Sequence, residues 1–376
     1  MKRVCVITGA RSEYGLLRWV IDGIEKDEDL QLQLVVTGGH LSPEQGLTYQ
    51  AIEEDGYHID EKVEMLLSSE TSVGISKSMG LCSIGMTDAF NRLNPDMIVV
   101  LGDRYELLPI VGTALVMRIP VAHISGGDIT EGAIDNEVRN AVTMMSTLHF
   151  PGTEESAARI RTMRQSTDNI YVTGETNLDN FRNLTLLSQK ELALSLGLDE
   201  RKKWILLTYH PVTKESFDDN MLTLQNILKV IDGLDEDFEV LIGKANTDLY
   251  GNEINQYLSK YASTHPHCHL FASLGQLRYT SILQYLYCMI GNSSSGIYET
   301  GYWRLPTINI GNRQKGRFTT SNIINVGTSY SEIKSAFTYM STDSYRKKIA
   351  MIENPYGDGK ASERIVKYIK RFFYEV

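Results

Sequence analysis

The sequence predicts an α/β protein built from two doubly wound parallel sheets in tandem. Three observations carry that expectation. Short apolar runs of strand length alternate with amphipathic segments of roughly ten to twenty residues along the whole chain, the pattern of right-handed βαβ units. The alternation breaks at Gly174-Glu175-Thr176-Asn177 and then restarts. A chain of 376 residues is long for one core and natural for two domains of roughly 150 to 200 residues each.

In the first half the expected strands are Val4 to Thr8, Leu32 to Thr37, Met97 to Leu101, Val121 to Ile124, Leu148 to Phe150 and Ile170 to Val172. In the second they are Trp204 to Thr208, Glu239 to Ile242, His269 to Ala272, Cys288 to Ile290 and Thr307 to Ile310. The boundary falls near residues 174 to 190. It separates an N-terminal domain over 1–180 from a C-terminal domain over 181–355, with a last segment at 356–376. In that segment Ala361 to Phe373 is a basic amphipathic helix with Ile365, Ile369 and Phe372 on one side, and spacing alone lets it pack on either half. No fixed-period repeat or low-complexity tract interrupts either half.

Hydrophobic content of 42% and charged content of 22% are ordinary for a soluble globular protein. A net charge of −10 argues against a nucleic-acid partner, which needs a broad basic face. A small anionic ligand would need a local cluster of Arg and Lys. No stretch approaches the ~20 apolar residues of a membrane span. The run Val4 to Ile7 after Met1-Lys2-Arg3 is too short for a signal peptide, so a cytoplasmic location is expected. Cys5, Cys82, Cys268 and Cys288 lie far apart with no C-x-x-C pair and read as reduced, buried thiols. His265-Pro266-His267-Cys268-His269 is the one dense run of metal-ligating types. Adjacent side chains do not easily converge on one ion, so an exposed loop is expected there, with no metal and no cofactor.

Chemistry in open α/β sheets sits in the loops at the carboxyl ends of strands. The first such loop, Thr8-Gly9-Ala10-Arg11-Ser12-Glu13-Tyr14, has one glycine where a dinucleotide fingerprint needs three, and the chain has no phosphate-binding P-loop motif. NAD and ATP are therefore disfavoured, although Arg11 beside a helix N-terminus suits a phosphate. Leu101-Gly102-Asp103-Arg104-Tyr105-Glu106 closes the next informative strand, with Asp103 set to face the cleft or to cap the following helix. His123 to Arg139 then crowds three glycines and four acids, Asp128, Glu131, Asp135 and Glu137, into one strand-to-helix junction. Carboxylates gathered from different strand ends can serve as separate acids and bases.

In the second half, Thr208-Tyr209-His210-Pro211-Val212-Thr213 offers His210, of the one side-chain type that ordinarily titrates near neutrality and so suits general acid or base work. Ile290-Gly291-Asn292-Ser293-Ser294-Ser295-Gly296 opens a helix with small hydroxyl residues and glycines. It reads as an anion site, with Glu299 one turn on able to accept from ribose hydroxyls. A capped helix start accounts for one serine, not for Ser293, Ser294 and Ser295 plus two glycines. Arg313, Lys315 and Arg317 then place three cations in five residues of an acidic chain, after a strand, where a diphosphate is the natural partner.

Taken together these strings resemble the hydrolysing UDP-N-acetylglucosamine 2-epimerases of bacterial sialic acid biosynthesis. The resemblance rests on Thr-Gly-Ala-Arg-Ser-Glu-Tyr-Gly at 8–15, Leu-Gly-Asp-Arg-Tyr-Glu at 101–106, Gly-Gly-Asp with Ile-Asp at 126–135 and His-Pro-Val-Thr at 210–213. It continues with Gly-Asn-Ser-Ser-Ser-Gly at 291–296, Gly-Asn-Arg-Gln-Lys-Gly-Arg at 311–317 and Asn-Pro-Tyr-Gly-Asp-Gly-Lys-Ala at 354–361. It implies two Rossmann-like domains in the glycosyltransferase-B architecture, UDP held mainly by the second, the last helix returning to the first, and a homo-oligomer. It also implies a metal-independent reaction of a UDP-sugar that yields UDP and N-acetylmannosamine.

The expected proton-transfer residues are Asp103, Asp128, Asp135 and His210, with Glu131 in reserve. The expected UDP and substrate ligands are Arg11, Arg104, Asn246, Asp248, Ser273, Ser293, Ser294, Ser295, Gly296, Glu299, Arg313, Lys315 and Arg317. Two departures stand out. Ser125 and Asp128 occupy positions where the family often has Glu, and Asn136 and Asn140 stand where Asp and His are common. They point to an alternative substrate, UDP-N,N'-diacetylbacillosamine. The same residues would also serve a UDP-sugar glycosyltransferase on this fold or a silent sugar-nucleotide sensor, since fold alone does not fix reaction.

Overall fold

The structure is a computed structural model of the chain and describes residues 1–69, 71–129, 134–245 and 249–375. The chain divides into two compact units, Met1–Asp179 together with Gly357–Val376, and Asn180–Tyr356. Each is built on one six-stranded parallel sheet.

In the first unit the strands are β1 (Lys2–Thr8), β2 (Leu30–Thr37), β3 (Glu61–Val63), β4 (Met97–Leu101), β5 (Val121–Ile124) and β6 (Leu148–Phe150). Their spatial order is β3-β2-β1-β4-β5-β6, every pair parallel. Connections reverse direction between β1 and β4, so the carboxyl ends of these strands border the crevice where doubly wound sheets take ligands. Helices cover both faces, which is why β4 and β5 are buried at every position and read as unbroken apolar runs. β1 shows how alternation divides the core. Val4 and Val6 pack with Leu17, Val20, Ile21 and Ile24 of the helix Arg11–Glu25, while Cys5 and Ile7 pack with Cys82, Met86 and Phe90 of the helix Ser72–Leu93.

The last helix, Ala361–Tyr374, belongs to this unit. Its Ile365 and Ile369 are fully buried in the same cluster as Val4 and Val6, each contributing about 2 kcal/mol of burial. Asp179 accepts hydrogen bonds from the backbone N–H groups of Ala361 at 2.9 Å and Ser362 at 2.7 Å, satisfying two donors at the helix start. Tyr171 and Tyr368 stack with ring centroids 3.9 Å apart.

The second unit repeats the plan with β7 (Lys203–Thr208), β8 (Phe238–Gly243), β9 (Cys268–Phe271), β10 (Leu286–Gly291), β11 (Thr307–Ile310) and β12 (Ile323–Val326). Their order is β12-β11-β10-β7-β8-β9, with the reversal between β7 and β10. His210 and the Gly291–Gly296 loop therefore leave the two central strands at the same edge.

Two strands were not expected and one expected strand is absent. β3 has three residues with one buried, too little for an alternation signal, and β12 is an edge strand of four. Ile170 to Val172 forms no strand. Ile170 makes a single bridge with His149, and the segment is bracketed by Asn169 at φ 58° and Gly174 at φ 87°, which turn the chain out of the sheet. The four cysteines are free and buried. Among the described residues no helix is long and apolar enough to cross a membrane.

Candidate active site

At the end of β1 the chain turns into the helix Arg11–Glu25, and Glu13 folds back on that turn. The Gly9 N–H donates to Glu13 Oε2 at 2.6 Å. Glu13 is buried, and burial pushes its carboxyl up to about 7 against the opposing pull of Gly9 N–H and Arg104. Arg104 lies between two acids, 3.5 Å from Glu13 and 2.5 Å from the buried Glu106. Its charge is thus shared internally. Arg11 stands exposed at the first helical position. His40 is pinned by both ring nitrogens, Nε2 3.0 Å from Thr8 Oγ1 and Nδ1 2.9 Å from Thr48 Oγ1, and burial lowers it to about 4.

β4 is followed by Gly102, whose carbonyl accepts from His123 Nε2 at 2.8 Å while His123 Nδ1 lies 3.2 Å from Thr143 Oγ1. The fully buried His123 is lowered by desolvation to about 4, so the neutral ring joins the ends of β4 and β5. Asp103 follows directly. Its carboxylate pairs with Arg139 Nη2, and Arg139 Nη1 donates to the Asp128 carbonyl at 2.8 Å. Arg139, only 7% exposed, comes from the helix Asp135–Met145. One guanidinium therefore ties together loops from two strand ends. The Asp128 carboxylate in turn takes the Ser156 hydroxyl. Gly127, at φ 81°, makes this approach possible: a Cβ there would lie 2.3 Å from the Ser156 carbonyl.

Asp135 is half-buried in the first turn of the same helix as Arg139, one turn earlier. Glu131 lies outside the described residues. Ser125 leaves β5 at φ 58°, and its hydroxyl donates to Glu175 Oε2 at 2.9 Å. A cavity of about 560 Å³ lies beside Gly38 and Tyr105, with Ser42, Gln45, Met65 and Ser78 among its walls.

The second unit is organised by Asn292, which is 1% exposed. Its Oδ1 accepts the His210 N–H at 2.8 Å and its Nδ2 donates to the His210 carbonyl at 2.8 Å. Its own carbonyl accepts from Gln314 Nε2 at 2.8 Å and Arg313 Nη1 at 3.3 Å. One asparagine thus joins the histidine loop, the serine-rich loop and the cationic loop. Gly291 has φ 141°, and a Cβ there would meet the Thr208 carbonyl at 1.9 Å, so only glycine lets β10 and β7 lie this close.

Arg317 donates to Gln314 Oε1 at 2.6 Å and its guanidinium sits 5.1 Å from the Tyr298 ring centroid. Lys315 is exposed. Ser293, Ser294 and Ser295 are half-buried and Gly296 is buried, but the helix they open, Ser295–Tyr298, is a single turn. Glu299 Oε2 accepts the Tyr279 hydroxyl at 2.6 Å, so one of its oxygens is already engaged. Ser273 is exposed and accepts the Gly275 N–H at 3.1 Å. Asn246 and Asp248 lie outside the described residues.

His265 stacks on Tyr261 at 4.0 Å and His269 binds Glu239. Among the described residues no group of three or more His, Cys, Asp or Glu side chains is placed to hold a metal ion.

Sequence reasoning missed Arg139, Asn292 and Glu175 as site residues. The only local signal for the first two was their place inside motifs already singled out.

The family model described as UDP-N-acetylglucosamine 2-epimerase matches residues 22–370. The chain is 37% identical over 347 residues to a GDP/UDP-N,N'-diacetylbacillosamine 2-epimerase (hydrolyzing) of Campylobacter jejuni, covering 92% of this chain and 89% of that one. It is 30% identical over 370 residues to a UDP-N,N'-diacetylbacillosamine 2-epimerase (hydrolyzing) of Legionella pneumophila, covering 98% and 96%. The solved structure of a UDP-GlcNAc 2-epimerase from Neisseria meningitidis bound to UDP-GlcNAc superposes with a TM-score of 0.79 at 20% identity, over 99% of this chain and all of that one. That likeness shows the shared glycosyltransferase-B-like fold.

Proposed function

The chain belongs to the UDP-N-acetylglucosamine 2-epimerase family, and from that premise we propose that it is a hydrolysing 2-epimerase of a UDP-linked 2-acetamido sugar. The observation that carries the reading is Arg139, which fixes the Asp103 carboxylate beside the Asp128 loop at the carboxyl edge of β4 and β5. Inversion at C2 needs one group to remove a proton and another to return one to the opposite face of the sugar. Asp103, Asp128 and Asp135 supply carboxylates for this work, and His210 is a further acid or base. As the C2 proton leaves, the C1–O bond to the diphosphate breaks and a 2-acetamido glycal forms. Water then adds at C1 while C2 is reprotonated.

UDP departs with added negative charge. Arg313 and Arg317, held by Asn292 and Gln314, together with Lys315 and the serines 293–295 stabilise that charge. Pre-formed contacts of this kind cost little reorganisation as the bond breaks.

UDP-N,N'-diacetylbacillosamine is the substrate favoured here, because both relatives named for it match nearly the whole chain. Ser125 and Asp128, where the sialic acid enzymes often carry Glu, support the same choice. UDP-N-acetylglucosamine, as a source of N-acetylmannosamine for sialic acid, is the second reading. Incubation with each sugar nucleotide, in water alone and in parallel with an added sugar acceptor, scoring UDP and free sugar, decides between them. The expected kcat/KM is at least about tenfold higher for the diacetylated sugar, a difference of about 1.4 kcal/mol in transition-state binding. The opposite preference returns the sialic acid reading, turnover only with an added acceptor supports a glycosyltransferase, and binding without turnover supports a sensor.

A further inference from the structure

We propose that Ser125 and Glu175 form a proton relay serving one of the two C2 proton transfers, with Glu175 positioning the serine and exchanging protons through it. The proposal rests on the epimerase reading given above.

Three features build the pair. Ser125 follows β5 in a left-handed conformation, φ 58°, which residues other than glycine adopt only at an energetic cost. Its N–H donates to the Phe150 carbonyl at 3.0 Å, so the β5–β6 ladder holds the strained residue in place. Its hydroxyl donates to Glu175 Oε2 at 2.9 Å, from 50 residues further along the chain.

The surroundings of Glu175 are shaped to admit its carboxylate. A Cβ on Gly152 would lie 1.8 Å from Oε1 and 2.6 Å from Cδ, so the absent side chain leaves the space this group fills. Just before it, Gly174 has φ 87°, and Gly357, at φ 116°, packs so closely that a Cβ there would lie 3.0 Å from the Gly174 Cα. The Thr173 N–H donates to the Pro151 carbonyl at 3.1 Å, anchoring the segment to the end of β6. Both side chains are half-buried, and Ser125 is three residues from Asp128 on the loop that Arg139 holds. A strained serine and three glycines thus converge on one hydroxyl–carboxylate contact at the edge where the other carboxylates gather.

In the removal direction the C2 proton passes to Ser125 Oγ as the hydroxyl proton passes to Glu175 Oε2. The C2–H electron pair forms the C1=C2 bond, and UDP leaves with the C1–O pair. In the delivery direction Glu175 gives its proton to Ser125, which gives its own to C2 while the hydroxyl of water bonds to C1; the remaining water proton recharges the carboxylate.

The test is Glu175→Gln, Ser125→Ala and the double variant, assayed for UDP, free sugar and glycal on the sugar nucleotide that the wild-type chain turns over. The expected result is a fall in kcat of at least about 100-fold in each single variant, with KM within about threefold. The double variant falls no further than the worse single one, because a relay is broken once. Loss of UDP release marks the removal step and glycal accumulation marks the delivery step; either supports the relay. Glu175→Asp, which keeps the carboxylate, should recover part of kcat, whereas a packing role predicts recovery by the closer isostere Gln. If Glu175→Gln fails to fold, Ser125→Ala alone decides. A kcat within threefold of wild type in Ser125→Ala, or additive losses in the double variant, overturns the proposal while leaving the epimerase reading intact. A wild-type chain that releases no UDP from either sugar nucleotide overturns both.

Discussion

Asp103→Asn should reduce UDP release by at least about 100-fold while leaving the affinity for UDP within about threefold of wild type. General acid–base groups contribute about 10² to 10⁴ to rate, and an amide of the same shape removes that capacity without opening a cavity. The substitution also takes one charge from the Arg139 pair, which is nearly buried on the arginine side, and breaking such pairs costs about 3–5 kcal/mol at the extreme. Thermal stability should therefore fall as well. UDP titration by calorimetry separates the two effects, because the proposed UDP ligands Arg313, Lys315 and Arg317 lie in the other unit. Asp135→Asn should lose turnover with a smaller stability cost, since Asp135 sits half-buried in the first turn of its helix while Asp103 neutralises a nearly buried guanidinium. Turnover within threefold of wild type in both variants would remove these carboxylates from the chemistry.

The first unit should lose stability steeply below pH 6.5. His40, His123 and His149 are buried as neutral rings, and desolvation holds them at about 4, about 4 and about 3 against an ordinary value near 6.5. Their contribution is present above 6.5 and is lost as pH falls toward 4, because the unfolded chain takes up protons that the folded chain refuses. Three such protons correspond to a slope of up to ~4 kcal/mol per pH unit. Glu13 acts in the opposite sense. Its carboxyl is raised to about 7, so its contribution is present below 4.5 and is lost as pH rises through 7, offsetting about one proton in the window 4.5 to 6.5. Denaturant unfolding at pH 5, 6, 7 and 8 should show a clear loss from 7 to 5 in wild type and a steeper one in Glu13→Gln. A flat profile from pH 7 to 5 would mean that these rings are not held neutral.

Much of the fold is legible because fully covered parallel strands announce themselves. β1, β4, β5, β7 and β10 are apolar runs bounded by turn residues, and the periodicity between them is helical. The short edge strands β3 and β12 carry too few buried positions for that signal. In the site, Asp103, Asp128 and His210 could be picked out because each closely follows a strand. What connects them could not. Arg139 reaches Asp103 across 36 residues, Asn292 reaches His210 across 82 and Ser125 reaches Glu175 across 50, and local spacing carries no information at those separations. Glu299 and Arg104 illustrate the converse. Motif position marks both as ligands, while the structure spends part of their capacity on Tyr279 and on Glu13 and Glu106.

The central claim is that the C2–H bond breaks and re-forms as UDP leaves. The direct measurement is NMR of the products formed from the sugar nucleotide in deuterated water. One deuterium at C2 of a released sugar of inverted configuration, with one UDP per sugar, is the predicted result. Released sugar that keeps its original C2 proton and configuration would contradict the account.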